Sequence, residues 1–564
     1  MAATSVAYAG TKVQIGEQII VEEGKTVNIT SDDTKTEHYN AITKDGEGTA
    51  VIVGNVTKYS GIFVREGELQ IGDGVTETNL RIEVTDDNDA IYGIGISAAG
   101  KDAVVTFNKA TYSNGGEIFN QVGGSDGNGT INITNGSKIN LTSNSNFLVG
   151  NSTYSTSTTT TPDSTDSYEG NYADSENKRG KGIINVSGGS VLNTGYHNFW
   201  MSEGELNVDG ENTVANICNY YGNRTILGLE SGSNSEVNVT NGGTLVFNSE
   251  TLNTTWGSNV ATKINVDGEN SLLLRPNERP AHPDNGVKGK TKTDIATKGS
   301  NSSTEISVTN GGSVALLSDE TNVGAKNNTV TISVDSKSSL QTKKMVVTGN
   351  TTITNDGAFY ASEVIMNGGT FINNGNMAGD ILATTADDLD NAESLLITVG
   401  QGAEFVQNGT NALGVSVEGG SLTLAAGSVN GDVQLSDGTI IVTGNSISGN
   451  LLLNGGTITF EKDAQLTLSE GASLTISEDT AFVVNVDSVD NVMGMTLELF
   501  TNVENTTAMD GAVITLVDEN NNAVDVFVSA VENGVKVDNV VPEPTTATLS
   551  LLALAALAAR RRRK

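Results

Sequence analysis

From about residue 130 onward the chain repeats one short pattern. Two apolar residues flank a polar one, a Gly-centred polar turn follows, and apolar residues return. The pattern starts at Ile131, Ile184, Val237, Ile264 and Ile306, and again at Val364, Ile397, Val415, Val433, Leu451 and Leu466. Period-two alternation puts successive side chains on opposite faces of a strand. The Asn-Gly, Gly-Gly and Asp-Gly pairs between the apolar runs mark tight turns. Hairpins and helical coils both satisfy this local pattern, so the spacing must arbitrate. Val415, Val433 and Leu451 stand 18 residues apart, and elsewhere the spacing runs from the high teens to the forties. A repeat near 18–25 residues with no helical segment between units fits one coil of a β-helix. The expected fold is therefore all-β, a right-handed parallel β-helix (β-solenoid). A series of β-sandwich domains is the alternative, but it needs boundaries near every ~100 residues and regular hairpin pairing.

Outside the repeats the pattern changes. Residues 10–125 alternate like strands without a firm period, for example at Thr26-Val-Asn-Ile-Thr30 and Leu80-Arg-Ile-Glu-Val84. They read as an N-terminal β region that starts the solenoid. Solenoid repeats fill residues 126–480, interrupted by expected loops at 151–181 and 275–300. Ser or Thr occupies 12 of the 16 positions from Ser152 to Ser167, and Pro276, Pro280 and Pro283 break up the second segment. Both compositions favour exposed loop over strand. From 481 to 540 the Gly rhythm stops, and runs such as Val513-Ile-Thr-Leu-Val517 and Val524-Asp-Val-Phe-Val528 suggest a small β cap. An open solenoid end requires one. At the start, Ala7-Tyr8-Ala9 before Gly10 is an A-x-A cleavage pattern. Residues 1–9 accordingly read as the remnant of a secretory signal peptide.

Composition narrows the function. Gly is 65 of 564 residues while Pro is only 6, which suits many short strands joined by tight turns. The net charge is −35, from 67 acidic and 32 basic residues. A chain this acidic repels nucleic acid, so no nucleic-acid partner is expected. Cys218 is the single cysteine and allows no intramolecular disulfide; it reads as a small buried hydrophobe.

Candidate chemistry is sparse. His38, His197 and His282 stand far apart in no metal-ligand spacing, and no phosphate loop or nucleophile elbow occurs. Asp86, Asp87 and Asp89, and Asp387, Asp388 and Asp390, are acidic clusters that match no known calcium loop. Gly123-Gly-Ser-Asp-Gly-Asn-Gly129 approximates a calcium-binding nonapeptide, but the unit does not iterate. Tyr196, Phe199, Trp200, Tyr220 and Tyr221, with His197 and Arg224 nearby, could form a sugar site. Stacked aromatics within a solenoid are the commoner arrangement. A glycan-cleaving site would need paired carboxylates beside Arg or Lys on neighbouring coils. No catalytic residue, cofactor or metal ligand is assigned, and the chain is expected not to be an enzyme.

The last stretch, 541–564, is organised differently. Pro542-Glu543-Pro544 comes first, and its prolines favour extended backbone. Thr545 to Ala559 then runs without a charge, carrying Leu549, Leu551, Leu552, Leu554 and Leu557. Arg560, Arg561, Arg562, Arg563 and Lys564 close it. As a helix the apolar run would rise roughly 22 Å, short of a ~30 Å hydrocarbon core unless the basic end snorkels. That basic end is the one that stays cytoplasmic. This order of Pro-Glu-Pro, hydrophobic helix and Arg cluster resembles the PEP-CTERM sorting signal of exopolysaccharide-producing Gram-negative bacteria. The resemblance implies a partner, an exosortase-type membrane transpeptidase, which cuts near the motif after transient insertion in the inner membrane. The repeats of residues 226–476 also resemble those of autotransporter passengers. No closing run of amphipathic strands accompanies them, so self-export is disfavoured.

Together these features imply an exported, non-catalytic structural or adhesin-like protein of the cell surface or extracellular matrix, with exopolysaccharide or another surface glycan as partner. A β-helix polysaccharide lyase or glycoside hydrolase is the alternative. Carboxylates stacked on neighbouring coils would favour the enzyme, and a face lined with Asn and Thr would favour the scaffold.

Overall fold

The computed structural model describes residues 18–541 except 21–22, 24–25, 31–41, 59–61, 84–92, 116–117, 125–126, 142–144, 152–179, 196–197, 219–223, 281–287, 380–395 and 504–508. The loop expected at 151–181 lies almost wholly outside these residues, as do the signal-peptide remnant and Pro542 to Lys564. The described residues form strands and turns, and no helix among them is long and apolar enough to cross a membrane. By contacts the chain divides into two compact units, Met1–Ile397 and Thr398–Lys564.

The first unit is a parallel β-solenoid with three strands per coil. One coil comprises Gly182–Ser187, Val191–Asn193 and Phe199–Met201, and the next Gly204–Asp209, Val214–Ile217 and Arg224–Leu227. Each strand pairs in parallel with its counterpart one coil on. Hydrophobic alternation fixes the register, because a one-residue slip would turn every inward side chain to solvent. Ile184, Leu206, Val237, Ile264, Ile306, Ile332, Ile353 and Phe371 accordingly stack in one interior column. All of them are 3 % exposed or less.

Turn chemistry closes each coil. Asn135, Asn241 and Asn310 adopt φ near +55°, and each precedes a glycine that is also at positive φ. Asn tolerates this region because its short side chain bonds locally. Such a pair often joins an antiparallel hairpin, but here it turns a corner between two faces of one coil. A buried hydroxyl steadies the corner. Ser271 and Ser338 each accept a backbone N–H from the coil before, from Gly242 at 3.0 Å and Gly311 at 3.1 Å.

Thr26–Thr30, Thr49–Val53, the end of Ile62–Ile71 and the end of Gly93–Asn108 form successive rungs of the ladder that continues into Gly129–Thr134, so the solenoid ladder begins within the N-terminal region. Two readings along the repeats change. The unit read at Val364 is the third strand of its coil, since Glu363–Met366 pairs with Lys344–Val347. An apolar-x-apolar run occurs on every face, so the pattern alone does not tell one face from another. The segment 275–300 is only partly loop. Arg275 ends a strand and is fully buried, and Lys292–Ile295 is a strand of the third face.

Arg275 is the largest fully buried side chain among the described residues. Its guanidinium donates to the carbonyls of Phe247 at 2.8 Å, Ser249 at 2.5 Å, Glu250 at 2.9 Å and Lys292 at 3.0 Å. Desolvation lowers its pKa to about 9, which still leaves it cationic at neutral pH. Lys44 plays the same part near the start, with its ammonium bonded to the carbonyls of Asp45, Gly46 and Glu66.

The second unit repeats more tightly. Val415, Val433 and Leu451 are register partners, as the 18-residue spacing predicts, and Leu422, Ile440 and Ile458 form the neighbouring column. Ala481–Val486, expected to belong to the cap, is still a coil strand parallel to Thr457–Phe460. The antiparallel part begins later. Val513–Asp518 pairs with Ala523–Val531, which pairs with Gly534–Val540. Gly534–Val540 in turn pairs antiparallel with Thr496–Glu498.

Candidate functional site

The first unit presents its most regular chemistry on the outward side of the longest strands. Between the inward columns stand Asn132, Asn185, Asn207, Asn238 and Asn265, in register from coil to coil. Each amide nitrogen donates to the amide oxygen of the coil before, at 2.8 Å in all four steps. At one end Asn132 donates to Thr106, whose hydroxyl donates to Glu68. Beyond Asn265 the row continues as Ser307, Ser333 and Thr354. Parallel stacking alone makes this ladder possible, because it places identical residues one strand spacing apart.

A second row runs beside it. Asp209 accepts from the Thr240 hydroxyl and the Asn241 amide, both at 2.6 Å. Asp267 accepts from Thr309 and Asn310 in the same way, also at 2.6 Å. The polar groups of this face are thus largely engaged with one another along the coil axis. These bonds preorder the amides and hydroxyls of the face at a regular spacing. Asn207→Ala removes one ladder bond on each side. We expect it to destabilise the first unit by about 1–2 kcal/mol, read as a lower urea midpoint with unchanged slope.

Carboxylates do stack in places. Glu205 and Glu236 are register partners, with Lys263 next in the row. Lys181 forms an ion pair with Glu205. In the second unit Glu418 and Asp437 are register partners on exposed positions.

The residues singled out from the sequence are dispersed. Phe199 lies in the interior, its ring 5.8 Å from that of Phe147. Trp200 points the other way, in the row between Leu148 and Ile226. Arg224 sits 5.5 Å from the ring centre of Trp256, an aromatic the sequence did not single out, and Lys298 approaches the same ring at 6.0 Å. Stacking of coils brings these three together, so no short motif reports them. Cys218 is buried, and desolvation pushes its thiol up to about 12, which suits a packing role. Tyr196, Tyr220, Tyr221, the three histidines and both Asp clusters lie outside the described residues. Among the described residues no group of three or more His, Cys, Asp or Glu side chains could hold a metal ion.

Residues 540–564 match the PEP-CTERM protein-sorting motif. No curated protein matches the chain. Among solved structures the chain is similar to the Haemophilus influenzae Hap adhesin, at 11 % identity and a TM-score of 0.25. That alignment covers 92 % of this chain and 59 % of the adhesin chain. The motif implies export and processing by an exosortase-type system. The chain is an exported β-solenoid protein that carries a PEP-CTERM sorting motif.

Proposed function

We propose that the chain is a non-catalytic structural or adhesin-like protein of the cell surface or of an exopolysaccharide matrix. Delivery would run through transient anchoring in the inner membrane of a Gram-negative cell and a cut beside Pro542-Glu543-Pro544. The observation that carries the non-catalytic reading is the Asn row on the outer face, Asn132 to Asn265, in which side-chain amides bond to one another along successive coils. Groups already satisfied within a rigid sheet suit repeated weak contacts with a polar polymer better than they suit proton transfer. A surface glycan fits that chemistry, since its hydroxyls can exchange with the waters on such a face.

The test takes the mature protein from the cell surface. Mass spectrometry is expected to find a C-terminus near Pro542 to Pro544, and recovery of Arg560 to Lys564 would reduce the tail to a permanent anchor. Incubation with a broad panel of plant, mucin and bacterial glycans is expected to give retention without cleavage.

A second reading rests on Glu205 and Glu236, which stack in register with Lys181 and Lys263 close by. That grouping is what a polysaccharide lyase or hydrolase uses. Turnover of any glycan that is lost in both Glu205→Gln and Glu236→Gln would establish it.

A further inference from the structure

The sorting motif and the cap overlap. The motif match begins at Val540, and Val540 is the last residue of the cap's closing strand, Gly534–Val540. It stands opposite Val526, and Asn539 stands opposite Phe527. One residue further, the Val541 N–H still donates to the Asp525 carbonyl at 2.9 Å. Pro542 follows directly in sequence. No spacer separates the folded sheet from the motif.

The strand is well held. Val535 and Val537 are buried, and Thr496–Glu498 covers the other edge opposite Gly534 to Lys536. Val537 also exchanges backbone bonds with the turn before it, donating to Met495 at 2.8 Å and accepting from Gly494 at 2.9 Å. A protease that grips an extended peptide needs the backbone groups on the amino side of its cut. Here Asn539 and Val540 are held in register opposite Phe527 and Val526, and the Val541 N–H is already bonded to Asp525.

We propose that the folded cap masks the amino-side flank of the sorting motif, so that the sorting enzyme acts on chains whose closing strand has peeled away from Ala523–Val531. The cap then serves as a gate on processing as well as a plug for the solenoid end. Peeling is a local opening whose free energy lies below that of global unfolding, and the apparent processing rate scales with the open fraction. The cut itself needs nothing more from this chain. The enzyme's nucleophile takes the acyl half, which passes to water or to a primary amine on a surface carrier, and the tail leaves with a new protonated amino terminus. This inference rests on the sorting-motif reading.

The test follows tail loss from the full chain by pulse-chase, in cells that carry the sorting enzyme. One variant inserts a flexible spacer of about eight Gly and Ser residues between Val541 and Pro542. A second joins Phe527→Cys to Asn539→Cys, cross-strand partners that an exported, oxidising compartment can bridge. Thiol titration reports whether the bridge has formed. We expect the spacer to shorten the life of the tail-bearing form by about fivefold or more. The bridge should prolong it at least as much, with reductant restoring the original rate. An unchanged rate with the spacer overturns the gate, whether or not the bridge forms. So does a bridged chain processed at the original rate. Failure of the unaltered chain to lose its tail would instead overturn the sorting reading itself, so the two failures are distinguishable.

Discussion

Arg275→Met is expected to lower the stability of the Met1–Ile397 unit by about 3–5 kcal/mol. Two effects compete. Methionine avoids the cost of burying a guanidinium, and its apolar stem fills much of the same space. Against this, the four carbonyls of Phe247, Ser249, Glu250 and Lys292 lose a charged donor. A charged hydrogen bond is worth about 1.5–3 kcal/mol, and a buried acceptor left without a donor costs about 1–3 kcal/mol. Four such losses outweigh the gain in desolvation. The Glu250 carbonyl keeps the Lys292 N–H at 2.8 Å, so its loss is partial. Arg275→Lys keeps the charge but offers one compact head where a planar fork spans four acceptors, and it should lie between the two. Urea denaturation of the full chain followed by tryptophan fluorescence checks this, because Trp200 and Trp256 both belong to the first unit. A midpoint unchanged by Arg275→Met would show that the carbonyls find other donors.

Gly324→Ala should cost about 2–4 kcal/mol, for two separable reasons. Gly324 adopts φ +85°, where an L side chain costs about 1 kcal/mol. An added Cβ would also lie 2.2 Å from the Thr348 carbonyl oxygen and 2.3 Å from the Thr351 hydroxyl. Neither neighbour can withdraw freely. Thr348 donates its own hydroxyl to the Gly324 carbonyl at 2.8 Å, and Thr351 donates to the Thr348 carbonyl at 2.8 Å. Gly232 provides the control, since it has φ +73° and nothing within 4 Å of where a Cβ would sit. Gly232→Ala should therefore lose only the backbone part, about 1 kcal/mol. Equal midpoints for the two variants would mean that the Thr348 turn shifts at little cost.

The spacing of Val415, Val433 and Leu451 was legible because each coil of that stretch has the same length, so sequence period and coil period coincide. The coil at Thr329–Val334 was not, since its turn has no glycine. Asp335 holds that turn, accepting from the Lys337 N–H at 3.0 Å and the Ser338 hydroxyl at 2.6 Å. Partial burial pushes its carboxyl up, but these bonds and one from the Asn310 N–H prevail and hold it below its usual range. A search for Gly-centred turns passes over such a coil, although Ile332 stacks between Ile306 and Ile353 like any other.

The strand-and-turn grammar and the address carried by residues 540–564 are written in the amino-acid order alone. Both are local: alternation, turn residues and a contiguous tail can be read within a few positions of one another. Which residues share a face was settled only by the folded coils. Asn132 and Asn185 are 53 positions apart in sequence yet bonded in space, while Asn355 and Asn373 achieve the same at 18. Loops of any length can be inserted at a coil's corners without disturbing the stack, because loop closure costs little more as a loop lengthens. That freedom erases the register from the sequence. It also hid the contact of Arg224 and Lys298 with Trp256, the carbonyl cage of Arg275, and the absence of any slack between the cap and the motif that follows it.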